Sequence, residues 1–181
     1  MRFCSNCGSS RIHQTIPEGD NRPRFFCPDC QTTHYQNPNM VVGCIAEKDG
    51  KILLAKRNIE PRKGYWNLPC GFLELNETVE EGAMREVWEE TGAEVDILDL
   101  HTVYNLPHAH QVYLIFTAKV TNQDLEESTP ESEVVRFFEP DEIPWTEMAF
   151  SSNTFALIRY LEDQKQGNDK GVHIGTFRKG I

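Results

Sequence analysis

The chain has 181 residues, 28 of them acidic and 18 of them Lys or Arg, for a net charge of −10. That length suits one sizeable domain plus a small module, and the charge argues against broad binding to nucleic acid or to a membrane surface. There is no long apolar run and no signal-peptide core in MRFCSNCGSS, so a cytoplasmic protein with no membrane partner is expected.

The first element is a pair of cysteine knuckles. Cys4 and Cys7 form one Cys-x-x-Cys, and Cys27 and Cys30 form another, with nineteen residues between them. Gly8 follows the first pair and Pro28-Asp29 sits inside the second. Four thiolates at this spacing make a closed tetrahedral zinc site, structural rather than catalytic because no coordination position is left open. A module this short folds only with a metal or disulfides. The competing reading, two disulfides, fits poorly with a reducing compartment. Residues 1–36 are therefore a zinc ribbon with Phe25 and Phe26 as packing aromatics, and His13 and His34 are ordinary polar residues.

Next come two apolar runs, 40–46 and 51–56, separated by Glu47-Lys48-Asp49-Gly50. This predicts a β-hairpin with its turn at Asp49-Gly50. Cys44 reads as a small core residue. Residues 58–64 are a polar loop, and Lys56, Arg57, Arg62 and Lys63 bring positive charge to it; they either meet phosphates or form a solvated basic loop. An extended segment, 64–69, leads on to Cys70 and Gly71.

The stretch GFLELNETVEEGAMREVWEETGA, residues 71–93, carries the chemistry. Gly71 is followed by Glu77, then Arg85-Glu86, Glu89-Glu90, Gly92 and Ala93. Thr78 and Glu81 form a Thr-x-x-Glu capping box that starts a helix, and Gly92 suits the left-handed position just past its end. At about 100° per residue, Glu86, Glu89 and Glu90 share one face. Val79, Ala83, Met84, Val87 and Trp88 form an adjoining apolar stripe for docking on a sheet. Gly82 leaves room on the acidic arc for a ligand. A solvated acidic face is the bland alternative, but three like charges at this spacing repel and one arginine offsets them only in part. Bound divalent cations resolve the repulsion. Cys70, just before Gly71, is a conceivable nucleophile.

After this helix, residues 94–104 and 111–120 read as strands, with His101, His108 and His110 around the loop between them. Residues 122–132 form an acidic loop, 134–139 a strand, 141–144 a turn, and 151–164 a helix capped by Ser151 or Ser152. The tail from Gly167 has no pattern and is expected to be irregular. Strands on both sides of a central helix, with a second helix at the end, give an α/β fold with a mixed sheet between helices.

The spacing G-x5-E-x7-R-E-(aliphatic)-x-E-E-x-G-(aliphatic or small) resembles the Nudix box, the signature of hydrolases of nucleoside diphosphates linked to another group. The resemblance implies an α/β/α sandwich preceded by the ribbon, with limits of 1–36 for the ribbon, 37–165 for the Nudix domain and 166–181 for the tail. It implies Mg2+ or Mn2+ on Glu86, Glu89 and Glu90, with the Gly71 carbonyl as a further ligand. Arg85 and Glu77 are then an orienting ion pair. The base is Glu90 or an acid before the last strand, Glu131 or Glu133; the nearest aligned position is Val134.

Three longer stretches, FCSNCG…CPDC…YQNPNMVVGCIAE, LLAKRNIEPRKGYWNLPCGFLELNET and FFEPDEIPWTEMAFSS, are similar to zinc-ribbon Nudix hydrolases related to the plant chloroplast FAD pyrophosphatase, which also accepts ADP-ribose. The resemblance implies hydrolysis of FAD or ADP-ribose to AMP plus FMN or ribose 5-phosphate, by a homodimer. The NADH pyrophosphatases carry a Ser-Gln-Pro-Trp-Pro-Phe-Pro stretch after the box; here EVDILDLHTVYNLPHAHQVY follows, which counts against NADH. Tyr65, Trp66 and Phe72 either stack on adenine or flavin or pack in the core. Two other readings stand beside this one: a nucleotide sensor that uses its ribbon for docking, and an RNA cap-removing hydrolase.

Overall fold

The computed structural model describes residues 1–122, 125–167 and 171–179. The chain divides into two compact units, Met1–Asn37 and Pro38–Ile181. The first is a three-stranded antiparallel sheet of β1 (His13–Thr15), β2 (Arg24–Cys27) and β3 (Thr32–His34) in that order. His13 meets the Phe26 ring edge to face at 5.8 Å.

The second unit is built on a mixed sheet. Its strands are β4 (Asn39–Lys48), β5 (Lys51–Arg57), β6 (Trp66–Asn67), β7 (Cys70–Phe72), β8 (Val95–Leu106), β9 (Gln111–Val120), β10 (Ser132–Phe138) and β11 (His173–Thr176). The order across the sheet is β10-β5-β4-β9-β8-β11; β4 lies parallel to β9, and β8 parallel to β11. The helices are α1 (Val79–Thr91) and α2 (Ser151–Gln166). Val42, Cys44 and Ala46 of β4 pack with Ala83 and Val87 of α1. Val41 and Ile45 pack with Ala156, Leu157 and Tyr160 of α2. The strand alternation thus feeds both faces, and the result is an α/β/α sandwich.

The hairpin turn falls at Asp49-Gly50, with φ of 53° and 80°. Two positive φ values match the twist of the flanking strands. Beyond this turn β4 and β5 pair only near Glu47–Ile52 and Lys48–Lys51. Further on they part: β5 takes β6 as its partner and β4 takes β7. The gap between two central strands therefore receives the chain that enters the motif, and this places Gly71 beside α1.

Several expectations change. The tail is not wholly irregular: β11 adds a parallel edge strand, too short and too interrupted by polar residues to announce itself. The cap of α2 is Phe150, with no side-chain cap bond, because Ser152 is buried and bonds toward Asn153. Met84 and Trp88 do not dock on the sheet; they are exposed. The buried arc of α1 is Gly82, Ala83, Glu86, Val87, Glu90 and Thr91, and residues 84 and 88 lie about 100° or more around from its centre.

Candidate active site

The motif helix starts and stops where its chemistry requires. The Thr78 hydroxyl accepts from the Glu81 N–H at 3.2 Å, and the Glu81 carboxylate accepts from the Thr78 N–H at 2.8 Å. Gly92 closes the helix at φ 68°. Gly82 does not leave room for a ligand: a Cβ there would lie 2.7 Å from Glu77 Oε1 and 2.9 Å from Leu73 Cδ1. It lets the loop before the helix press onto it.

Arg85 organises this loop. Its guanidinium donates to both carboxylate oxygens of Glu77 at 2.8 and 3.0 Å, to Glu86 at 2.8 Å, to Glu89 at 2.9 Å and to the Phe72 carbonyl at 3.0 Å. Glu77 also accepts from the Glu74 N–H at 2.7 Å. These bonds from Arg85, and then from Glu74, pull the Glu77 carboxyl down to about 2. Such a fork-to-fork pair fixes orientation as well as charge.

The three remaining glutamates are not equivalent. Glu89 is half exposed, while Glu86 and Glu90 are buried. Burial raises the Glu86 carboxyl even against the Arg85 charge. Burial also pushes Glu90 up to about 8, with the Glu86 charge adding to the effect. Two buried acids on successive turns are a standing electrostatic conflict in a folded protein. The backbone of Gly71 lies against the Glu86 carboxylate, on which a Cβ would fall directly. Hard oxygen donors in this setting suit Mg2+ or Mn2+.

These groups line one cavity of about 500 Å3. Gly71, Phe72, Arg85, Glu86, Glu89 and Glu90 form one side of its lining, and Arg57, Ile59, Tyr113, Glu131 and Phe150 are also part of it. Arg57 lies 5.1 Å over the Phe150 ring and donates to the Pro61 carbonyl at 2.9 Å. Phe72 is exposed at the cavity. Trp66 is instead a core residue, edge to face with Phe138 at 4.8 Å. Tyr65 lies outside the lining, under the Arg62 guanidinium at 5.4 Å. Glu131 reaches the cavity but Glu133 does not, because Glu133 is the extra residue of a bulge in β10. Ile59, Tyr113 and Phe150 were invisible as site residues: they come from a loop, a distant strand and a helix cap, and as ordinary apolar residues carry no signal. Cys70 also lines the cavity, but burial and the charge on Glu90 push its thiol well up, so it is no nucleophile at neutral pH.

In the ribbon, Cys4 and Cys30 Sγ atoms are 3.6 Å apart, as are those of Cys7 and Cys27. All four lie within 4.8 Å of one another, and none is in a disulfide. Four sulfurs at about 2.3 Å from a zinc ion stand about 3.8 Å apart in a tetrahedron, so the cluster fits a zinc ribbon and not two disulfides. His34 is more than a bystander: its Nε2 lies 3.3 Å from Cys4 Sγ, the position of a partner that steadies a ligand thiolate.

Residues 37–158 match the NUDIX domain family and residues 2–36 match the Nudix N-terminal family, a zinc ribbon. The chain belongs to the Nudix family. A solved NUDIX hydrolase from Nitrosomonas europaea is 47% identical, with a TM-score of 0.93 over 99% of this chain and 100% of that one. An ADP-ribose pyrophosphatase from Methanocaldococcus jannaschii is 39% identical over 61% of this chain and 67% of its own. An NAD-capped RNA hydrolase NudC from Pseudomonas aeruginosa is 32% identical over 79% of this chain and 49% of its own. The chain thus spans about half to two thirds of the length of these two relatives. The coarser resemblance, a Nudix domain behind its zinc ribbon, is therefore a finding; these relatives carry other names than the plant FAD pyrophosphatase.

Proposed function

We propose that this protein is a metal-dependent hydrolase that cleaves the pyrophosphate bond of a nucleoside diphosphate derivative, with ADP-ribose first and FAD second. One observation carries the reading: Glu86 and Glu90, both buried and both resisting ionisation, share a cavity of about 500 Å3 with Gly71 and with Arg85, whose guanidinium Glu77 holds in place. The relative named for ADP-ribose supports the first substrate. The likeness of the sequence to FAD pyrophosphatases supports the second.

Glu86, Glu89 and Glu90, with the Gly71 carbonyl, would hold Mg2+ or Mn2+. Such ions supply neutralisation of phosphate charge and activation of water. The protein's own share is positional. Arg85 and Glu77 fix the loop that carries Gly71 and Phe72. Arg57 offers a guanidinium to the phosphates, and Phe72 and Phe150 offer flat apolar surface to a base. Glu90 or Glu131 accepts the proton of the attacking water. Zinc in the ribbon has a structural role, and the active form is a homodimer, as the family resemblance implies.

The experiment is a turnover panel of ADP-ribose, FAD, NADH, diadenosine polyphosphates and capped RNA with Mg2+ or Mn2+. Release of AMP and ribose 5-phosphate from ADP-ribose is the expected result. Preferred cleavage of NAD-capped RNA or NADH would follow the NudC relatives instead. Binding without turnover of any panel member would reject catalysis in favour of a nucleotide sensor. Light scattering at working concentration tests the dimer; a monomeric mass rejects it.

A further inference from the structure

A second cluster lies apart from the acidic site. His101 of β8, Asp163 of α2 and His173 of β11 each offer one ligand atom, and these atoms all lie within 4.8 Å of one another. His101 and Asp163 line a cavity of about 670 Å3 that shares no lining residue with the one beside Glu86 and Glu90.

His101 is aimed there deliberately. It is the extra residue of a bulge in β8, between the Leu100 and Thr102 pairings, and bulges re-aim side chains. The ring is buried, 7% exposed, and sits edge to face against Tyr160 and His173 at 5.8 and 5.2 Å. Its Nε2 lies 3.3 Å from the Ala156 carbonyl. A carbonyl only accepts, so Nε2 carries the proton. In a neutral ring Nδ1 then bears a bare lone pair, and burial lowers the affinity of this ring for a second proton. That lone pair faces Asp163 Oδ2 across 3.9 Å. Two acceptors face each other with no proton between them.

A cation resolves the conflict. An imidazole that donates one ring N–H to a backbone carbonyl while presenting the other nitrogen is the usual arrangement of a metal ligand. Asp163 Oδ2 lies 2.8 Å from His173 Nε2, so the spacings of 2.8 and 3.9 Å bracket the roughly 3.3 Å between donors around a tetrahedral ion with bonds of about 2.0 Å. Thr102 pairs with His173 across the two parallel strands, and its buried hydroxyl has no hydrogen-bond partner among the described residues.

We propose that His101 Nδ1, Asp163 and His173 Nε2 form a second divalent-metal site, of the zinc class, that clips β11 to α2 and to the sheet. Two imidazoles and one carboxylate suit Zn2+ and Co2+ better than Mg2+. The ion displaces the Nε2 proton of His173, which moves to Nδ1. Remaining coordination positions open toward the cavity, where Asp99, Tyr160 and Gln164 also stand.

The test uses the full chain, dialysed against Zn2+ in excess Mg2+ so that hard-oxygen sites are occupied. Bound zinc is counted in wild type, His173→Ala and Asp163→Asn. One zinc per chain beyond that of the ribbon is expected in wild type and none beyond it in either variant. Saturating Zn2+ should raise the melting temperature of wild type by about 5 °C and leave both variants unmoved. His173→Gln replaces the alanine variant should that one fail to fold. The Co2+ spectrum of wild type needs no variant: it should gain ligand-field bands beyond the thiolate-to-metal absorption of the ribbon. The proposal is overturned if wild type holds only the ribbon's zinc, or if the variants bind the same extra zinc with the same thermal shift. All three readouts are independent of nucleotide hydrolysis.

Discussion

The carboxylate of Glu86 lies against the α-carbon of Gly71, in the space a side chain at residue 71 would fill. This contact joins the strand that enters the motif to the helix that carries its acids. It is possible because β4 and β5 part and admit β6 and β7 between them.

Gly71→Ala should therefore fail in two ways. The added methyl must displace the Glu86 carboxylate, which overpacks the contact by about 1–3 kcal/mol. Turnover should fall by about a hundredfold, as for loss of one strong electrostatic contact. Thermal melts and steady-state kinetics on the same preparation check both; a variant with full activity contradicts the close approach.

Glu90 predicts an unusual pH dependence in the metal-free protein. Its folded carboxyl is raised to about 8 from an ordinary 4.5. Between these values the folded state holds a proton that the unfolded state has released, so stability falls as pH rises through that window. Below it, both states are protonated and the penalty is absent. Glu90→Gln removes the buried charge, so the variant should melt at least about 3 °C above wild type at pH 7.5 in EDTA and show a flatter profile. Its hydrolytic activity should still be lost. Equal melting temperatures at pH 7.5 would show that Glu90 ionises freely in the fold.

Arg85→Lys is not a conservative change here. A lysine cannot keep the fork on Glu77 together with the bonds to Glu86, Glu89 and the Phe72 carbonyl. Stability should drop by about 1–3 kcal/mol through groups left unpaired, and kcat should drop with it. Denaturant unfolding and kinetics test this; a lysine variant equal to wild type contradicts the hub.

Cys27→Ser should release the ribbon zinc, since Cys27 is one of four mutually close thiols. Metal analysis after gel filtration reads this directly. Retention of full zinc in the variant would remove Cys27 from the ligand set.

Much of this molecule was legible in the sequence because it rests on local rules. The capping box at Thr78, the turn at Asp49-Gly50 and the cysteine knuckles depend on neighbours in the chain. What stayed hidden depends on the sheet. Apolar type does not fix burial on α1: Met84 and Trp88 are exposed, whereas the packed arc includes two of the acids. Glu133 was separated from Glu131 by a bulge, and β11 gained its partner from a strand some seventy residues earlier. Tyr113 and Phe150 entered the cavity only through the register of β4 with β9 and the placement of α2.

The central claim is that the acids of α1 act through bound divalent cations. The most direct measurement compares turnover of ADP-ribose by Glu89→Gln and Glu80→Gln, with Mg2+ and in excess EDTA. Both residues lie on the exposed part of the same helix, so helix stability is a shared background; only Glu89 lines the cavity. The account predicts a loss of about a hundredfold or more for Glu89→Gln, little change for Glu80→Gln, and no turnover in EDTA. Equal activity of the two variants, or hydrolysis undiminished by EDTA, would contradict it.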